Sequence, residues 1–203
     1  MIEDILADTT LETLAALPTK GPVSLIVRHS MRVPITGVEN VFTAHLTPEG
    51  IAAARRFGSS LGRQRRLGRV MSSPVSRCVD TAVAIAEGAG YLQKVRVDDR
   101  LSHLLMLPIW NALPDCCNLD ALPAELVTLI ELLLPQLGRD GDLDVFVTHD
   151  TVVGALAGYL TGEPVQDEAI PRFLEGVFIW QDGGNIHLWW RGKTTVINAD
   201  YRF

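Results

Sequence analysis

The chain has 203 residues, 47% of them hydrophobic, enough to bury one sizeable core and in the size range of a single α/β domain. Its formal net charge of −6 and pI near 5.3 argue against a general affinity for nucleic acid or anionic membrane, so any positive potential must be local. Three cysteines, Cys78, Cys116 and Cys117, lack C-x-x-C spacing, so they indicate neither a disulfide framework nor a zinc site and read as reduced thiols of an intracellular protein.

Residues 1–20 begin acidic and lack both the basic leader and the apolar core of a secretory signal, so a cytoplasmic location is expected. Ile2, Ile5, Leu6, Leu11, Leu14 and Leu17 recur at near-helical spacing up to Pro18. This predicts an amphipathic helix docked on the core of a single domain over 21–203, a commoner use of such a stripe than partner binding. Val23 to Val27 is a continuous apolar run, the pattern of a strand buried on both faces. Thr47 and Pro48 are a cap and a first-turn proline for a helix to about Leu61, with Gly62 as its stop. A short strand around Val70 precedes Ser73 and Pro74, the same device opening a helix through Glu87 that ends at Gly88. Val95 to Val97 reads as a strand, Pro123 to Leu137 as a helix, Val145 to Val147 as a strand and Thr151 to Leu160 as a helix. Val177 to Trp180 and Ile186 to Trp190 flank QDGGN, a tight-turn signal for a hairpin. No apolar run reaches the roughly 18 residues of a membrane span, since Glu131 and Pro135 interrupt AELVTLIELLLPQL. The elements add up to a three-layer α/β/α sandwich with a mostly parallel central sheet.

Two histidines stand where strand-like runs stop: His29 in SLIVRHSMRVP and His149 in DVFVTHDTVVG. In an open parallel sheet the carboxyl ends of the strands line the ligand crevice, which brings both imidazoles to one edge. Arg28 and Arg32 flank the first histidine, Arg77 lies in SSPVSRCVDTA, and Asp150 follows the second. Three guanidiniums beside two imidazoles and a carboxylate suit a phosphoryl group, because the arginine fork matches phosphate oxygens and keeps its charge at any working pH. Singly, each residue has a plainer use. A strand-end histidine is more often structural than catalytic, Asp150 is a natural helix cap, and Arg77 is a cation at a helix amino end, where positive charge is disfavoured.

RHSMRVP, SSPVSRCVDTA and THD, in this order, resemble the histidine phosphatase superfamily. The first motif is similar to the acid phosphatase branch, whose Arg-His-Gly-x-Arg-x-Pro signature and later His-Asp pair align with Arg28, His29, Arg32, Pro34, His149 and Asp150. Ser30 departs from the family's glycine. The resemblance spans roughly residues 22 to 191. It implies a phosphoglycerate mutase-like fold and a metal-independent phosphomonoesterase in which His29 is the nucleophile. Arg28 and His149 act with His29 in catalysis, Arg32 and Arg77 bind the phosphate, and Asp150 is the general acid and base. No cofactor and no metal are implied.

His103, in DDRLSHL, stands where the mutase-like branch places a glutamate acid. It is a candidate for substrate contact or a share of the acid role, or an ordinary loop histidine. The arginine run RRFGSSLGRQRRLGR reads as a solvated helix face, and the four tryptophans as packing. Only Thr36 to Leu46 and Asp99 to Leu122 are available as lids, so the pocket is expected to be open to a small phosphorylated metabolite, a sugar or a glycan. A phosphohistidine or phosphoprotein phosphatase in signalling, and a phosphate-binding module without turnover, are the alternatives.

Overall fold

A computed structural model describes residues 8–102, 124–134, 141–162 and 170–197. In chain order these form α1 (Asp8–Ala16), β1 (Val23–Arg28), α2 (Pro48–Gln64), β2 (Leu67–Ser72), α3 (Ser76–Gly88), β3 (Arg96–Val97), α4 (Ala124–Leu133), β4 (Leu143–Thr148), α5 (Asp150–Thr161), β5 (Gly176–Asp182), β6 (Asn185–Trp190) and β7 (Lys193–Ile197). The strands make one sheet in the order β3-β2-β4-β1-β5-β6-β7. Pairing from β3 to β1 is parallel, and β5, β6 and β7 extend the sheet antiparallel, so the sheet is mixed.

Alternation along the strands divides the core into two layers. Ile26, Phe146, Val177 and Ile179 face α4 and α5, meeting Leu129, Leu133, Val153 and Leu156. Leu25, Val27, Val145 and Val147 face the other helices, meeting Leu14 of α1, Phe57 and Leu61 of α2 and Ile85 of α3. The amino-terminal helix is thus docked on this core through Leu14 and Leu17, and residues 1–7 lie outside the described residues.

Local chemistry explains most boundaries and corrects some expectations. The Thr47 hydroxyl accepts from Gly50 N–H at 3.0 Å, so α2 begins where cap and proline predict. It does not stop at Gly62 but runs to Gln64, because Gly62 serves contact with the next helix: a Cβ there would lie 3.0 Å from Ala89 Cα. At Gly58 a Cβ would meet Ile85 O at 2.1 Å, and at Gly88 it would meet Arg55 O at 1.9 Å, so α2 and α3 touch backbone to backbone. α3 starts at Ser76 behind Val75 without a side-chain cap, since Ser73 is turned to His149. Asp150 is the first residue of α5 and not its cap, a position taken by His149.

Gly183 and Gly184, with φ of 57° and 82°, form the tight turn expected of the hairpin. β7 was not expected. It follows a second turn at Arg191 (φ 46°) and Gly192, in which the Arg191 guanidinium pairs with Glu175 at 2.7 Å and covers the Trp190 ring. Of the helix expected over Pro123 to Leu137, α4 covers Ala124–Leu133, while Pro123 and residues 135–137 lie outside the described residues. The arginine run is fixed in place: Arg55 pairs with Glu87, Arg66 with Asp142 and Arg69 with Asp144, while Arg65 donates to the carbonyls of Leu17 and Pro18. Among the described residues no helix is long and apolar enough to cross a membrane.

Candidate active site

Arg28 of β1 and Thr148 of β4 are register partners at the carboxyl ends of two neighbouring parallel strands. His29 and His149 follow them directly, and the His29 N–H donates to Thr148 O at 2.8 Å, which brings the imidazole centroids to 5.7 Å. Both rings are 1% exposed. The second parallel neighbour of β4 is β2, whose end leads through Ser73 into α3 and so delivers Arg77 to the same place.

The hydrogen bonds fix both tautomers. His29 Nδ1 lies 2.8 Å from Ser30 O, a pure acceptor, so Nδ1 carries the proton and Nε2 the lone pair. Arg77 Nε–H donates to that lone pair at 3.0 Å, and Arg77 Nη2 donates to His149 Nδ1 at 3.1 Å. His149 Nε2–H then donates to Ser73 Oγ at 3.0 Å. Burial, with arginine charges adding to it, holds both imidazoles at a pKa of about 3, well below the usual histidine value; the Ser30 carbonyl partly opposes this at His29. Both are neutral at physiological pH.

The arginines are anchored but not saturated. Arg28 Nη1 donates to Pro171 O at 2.6 Å, its Nη2 pairs with Asp150 Oδ2 at 2.7 Å, and its guanidinium lies 4.3 Å above the Phe173 ring. Arg32 Nη1 donates to Val33 O at 3.0 Å. The Nε–H groups of Arg28 and Arg32 are buried with no hydrogen-bond partner among the described residues. Buried donors are almost always paired, and an unpaired guanidinium N–H is costly to keep. Two of them beside a neutral imidazole are suited to oxygens of an anion. Desolvation lowers the pKa of Arg28 and Arg77, without removing their charge at any working pH.

His29, His149, Arg28, Arg32, Arg77 and Asp150 therefore form one cluster, whereas His103 lies outside the described residues. His45 is exposed, and His187 stacks on Trp180 at 5.2 Å. Of the two expected lids, Thr36 to Leu46 reaches the cluster, since Val41 O accepts from Arg77 Nη1 at 2.6 Å; Asp99 to Leu122 is described only as far as Ser102. Phe173, Ser73 and Thr81 were not anticipated. Phe173 enters because β5 pairs with β1, so the segment before β5 abuts the end of β1, and no local signal gives that pairing.

Residues 25–106 match the model of the histidine phosphatase superfamily (branch 1). The match covers less than half of the chain, and over it the segment is similar to that superfamily. It contains Arg28, His29, Arg32 and Arg77, while His149 and Asp150 lie beyond it. The α/β fold is similar to that of solved structures. Bacillus stearothermophilus YhfR is 20% identical, with a TM-score of 0.56 over 82% of this chain and 95% of that one. A protein of Agrobacterium tumefaciens assigned as the phosphohistidine phosphatase SixA is 18% identical, with a TM-score of 0.51 over 90% and 97%. A mycobacterial glucosyl-3-phosphoglycerate phosphatase in complex with VO3 is 20% identical, with a TM-score of 0.50 over 77% and 92%. No curated protein matches the chain in sequence.

Proposed function

We propose that the protein is a metal-independent phosphomonoesterase acting through a phosphohistidine intermediate. The observation that carries this reading is the neutral His29 with its Nε2 lone pair turned toward Arg77, beside two arginine Nε–H donors without partners among the described residues. Phosphoryl transfer has a loose transition state with charge spread over the equatorial oxygens, so positioned donors do most of the catalytic work. Arg28, Arg32 and Arg77 bind those oxygens. The phosphate displaces Arg77 from the histidines, and His29 Nε2 attacks phosphorus as the P–O ester bond breaks. His149 contacts the transferring group, and Asp150 gives its proton to the departing alkoxide. Water then attacks phosphorus, the P–N bond breaks, and Asp150 takes the proton from the water.

A small phosphorylated metabolite, sugar or glycan is the proposed substrate class, His103 is a proposed substrate contact, and the cytoplasm is the proposed location. The acid phosphatase likeness rests on the Arg28 to Pro34 motif and the His149–Asp150 pair, and it is an inference from sequence. Wild-type enzyme assayed on an aryl phosphate, then on phosphorylated metabolites and a phosphohistidine protein, tests the reading. Turnover that survives EDTA, with an acid-labile phosphoramidate trapped on His29 and lost in His29→Ala, is the expected result. A His29→Ala variant with near-wild-type rates, or EDTA inactivation reversed by a divalent ion, overturns it. Preference for the phosphoprotein over every small ester moves the protein to the signalling alternative.

A further inference from the structure

Two fully buried hydroxyls beside the cluster, Ser30 and Thr81, have no part in the reaction proposed above. Thr81 lies one helical turn after Arg77 on α3. Its hydroxyl donates to Arg77 O at 2.7 Å and accepts from the Ser30 N–H at 3.0 Å. Ser30 O in turn receives His29 Nδ1–H at 2.8 Å, and Ser30 Oγ donates to Gly50 O at 2.7 Å in the first turn of α2. Each polar group of Ser30 therefore binds a different element: the amide holds α3, the carbonyl holds the imidazole, and the hydroxyl holds α2. The contact with α2 is close, since a Cβ at Gly50 would lie 2.1 Å from Met31 O, and Thr47 N–H donates to the same carbonyl at 3.1 Å.

We propose that Ser30 and Thr81 form a hydroxyl brace that sets the distance between His29 Nε2 and the Arg77 guanidinium, with Thr81 as a positioning residue. The serine where the resemblance expects glycine supplies the strut to α2. Among the described residues, Thr81 is the one side chain that hydrogen-bonds both the backbone beside the nucleophile and the backbone of Arg77. With its one proton committed to Arg77 O, its lone pair is aimed at the Ser30 amide. The Ser30 and Thr81 side chains are both fully buried, where hydrogen bonds are electrostatically stronger than at the surface, so their geometry is strongly held. Valine keeps the shape of threonine and removes both bonds, releasing His29 and Arg77 to settle independently. A misplacement of about 1 Å at reacting groups costs on the order of 10²-fold in rate.

The kinetic consequence rests on the phosphatase reading, but the geometric one does not, so the test has two arms. Aryl phosphate kinetics and long-range 1H–15N spectra of the histidines are measured for wild type, Thr81→Val, Thr81→Ser and Ser30→Ala. Thr81→Val is expected to lower kcat by roughly 10- to 100-fold with KM little changed, and to alter the Nδ1 and Nε2 shifts of His29. Thr81→Ser, which retains the hydroxyl, is expected to restore both. Ser30→Ala is expected to lower kcat with KM unchanged, and it carries the test if Thr81→Val does not fold. Wild-type kcat in Thr81→Val, or equal losses in Thr81→Val and Thr81→Ser, overturns the brace. If the wild type hydrolyses no phosphoester, the proposed function fails and the spectra decide alone: His29 shifts that Thr81→Val leaves unchanged refute the brace.

Discussion

Arg77 Nε–H is hydrogen-bonded to His29 Nε2 at 3.0 Å, on the nitrogen that a phosphoryl acceptor must use. The same guanidinium also reaches His149, so in the proposed reaction an incoming phosphate must compete with both imidazoles for Arg77. Arg77→Lys offers a point charge that cannot span both rings. A loss in kcat/KM of about 10²- to 10³-fold is expected, the size associated with removing one transition-state donor, with weaker inhibition by vanadate. Kinetics within fivefold of wild type would take Arg77 out of the phosphate site.

Asp150 holds Arg28 in a 2.7 Å ion pair, so in the proposed site it shares that arginine with the phosphate. Asp150→Asn is expected to slow esters with alkoxide leaving groups on the order of 10²- to 10⁴-fold more than activated aryl phosphates, because an aryl oxide departs without a proton. Equal slowing of both would assign Asp150 to holding Arg28, and would turn the search for the acid to His103.

The depressed histidines link folding to pH. Their folded pKa values are about 3 against 6.5 in the unfolded chain, so between these limits the unfolded state binds protons that the folded state refuses. Stability is complete above about pH 6.5 and falls as pH drops toward 3, with a slope approaching about 1.4 kcal/mol per pH unit for each histidine. Urea denaturation at several pH values measures it. His29→Gln and His149→Gln should each flatten the slope, and an unchanged slope in both would show that neither ring is buried neutral.

Cys78 packs against His149, its Sγ 3.4 Å from Nε2, and burial pushes its thiol up to about 12. As thiolate is the reactive form, Cys78 should resist alkylation at pH 8 in native protein and react once the chain is unfolded. A Cys116→Ser/Cys117→Ser background isolates it. Rapid native labelling would show that the ground beneath His149 opens readily.

Apolar runs, cap signals and the paired glycines made β1, β4, α2 and the β5–β6 hairpin legible in the sequence. β7 was not, because Lys193, Thr194 and Thr195 carry the polar pattern of a sheet edge and nothing nearby announces a strand. Histidines at the ends of apolar runs were visible as candidates because the strand direction alone aims them at one edge. Long-range pairing was not visible, and Phe173 depends on it. Ser73 was misread as a helix cap since its use is decided by a partner 76 residues away.

The glycine contacts between α2 and α3 make the candidate site sensitive to distant mutation. Gly88 is eleven residues beyond Arg77 on α3, about 16 Å along the axis, and a methyl group there would collide with the backbone of Arg55. The collision would act as a wedge, and α3, as a stiff rod, would carry the tilt back to Arg77 and away from the imidazoles. Substitutions at this remote seam would then resemble active-site lesions in kinetics while touching nothing that binds phosphate.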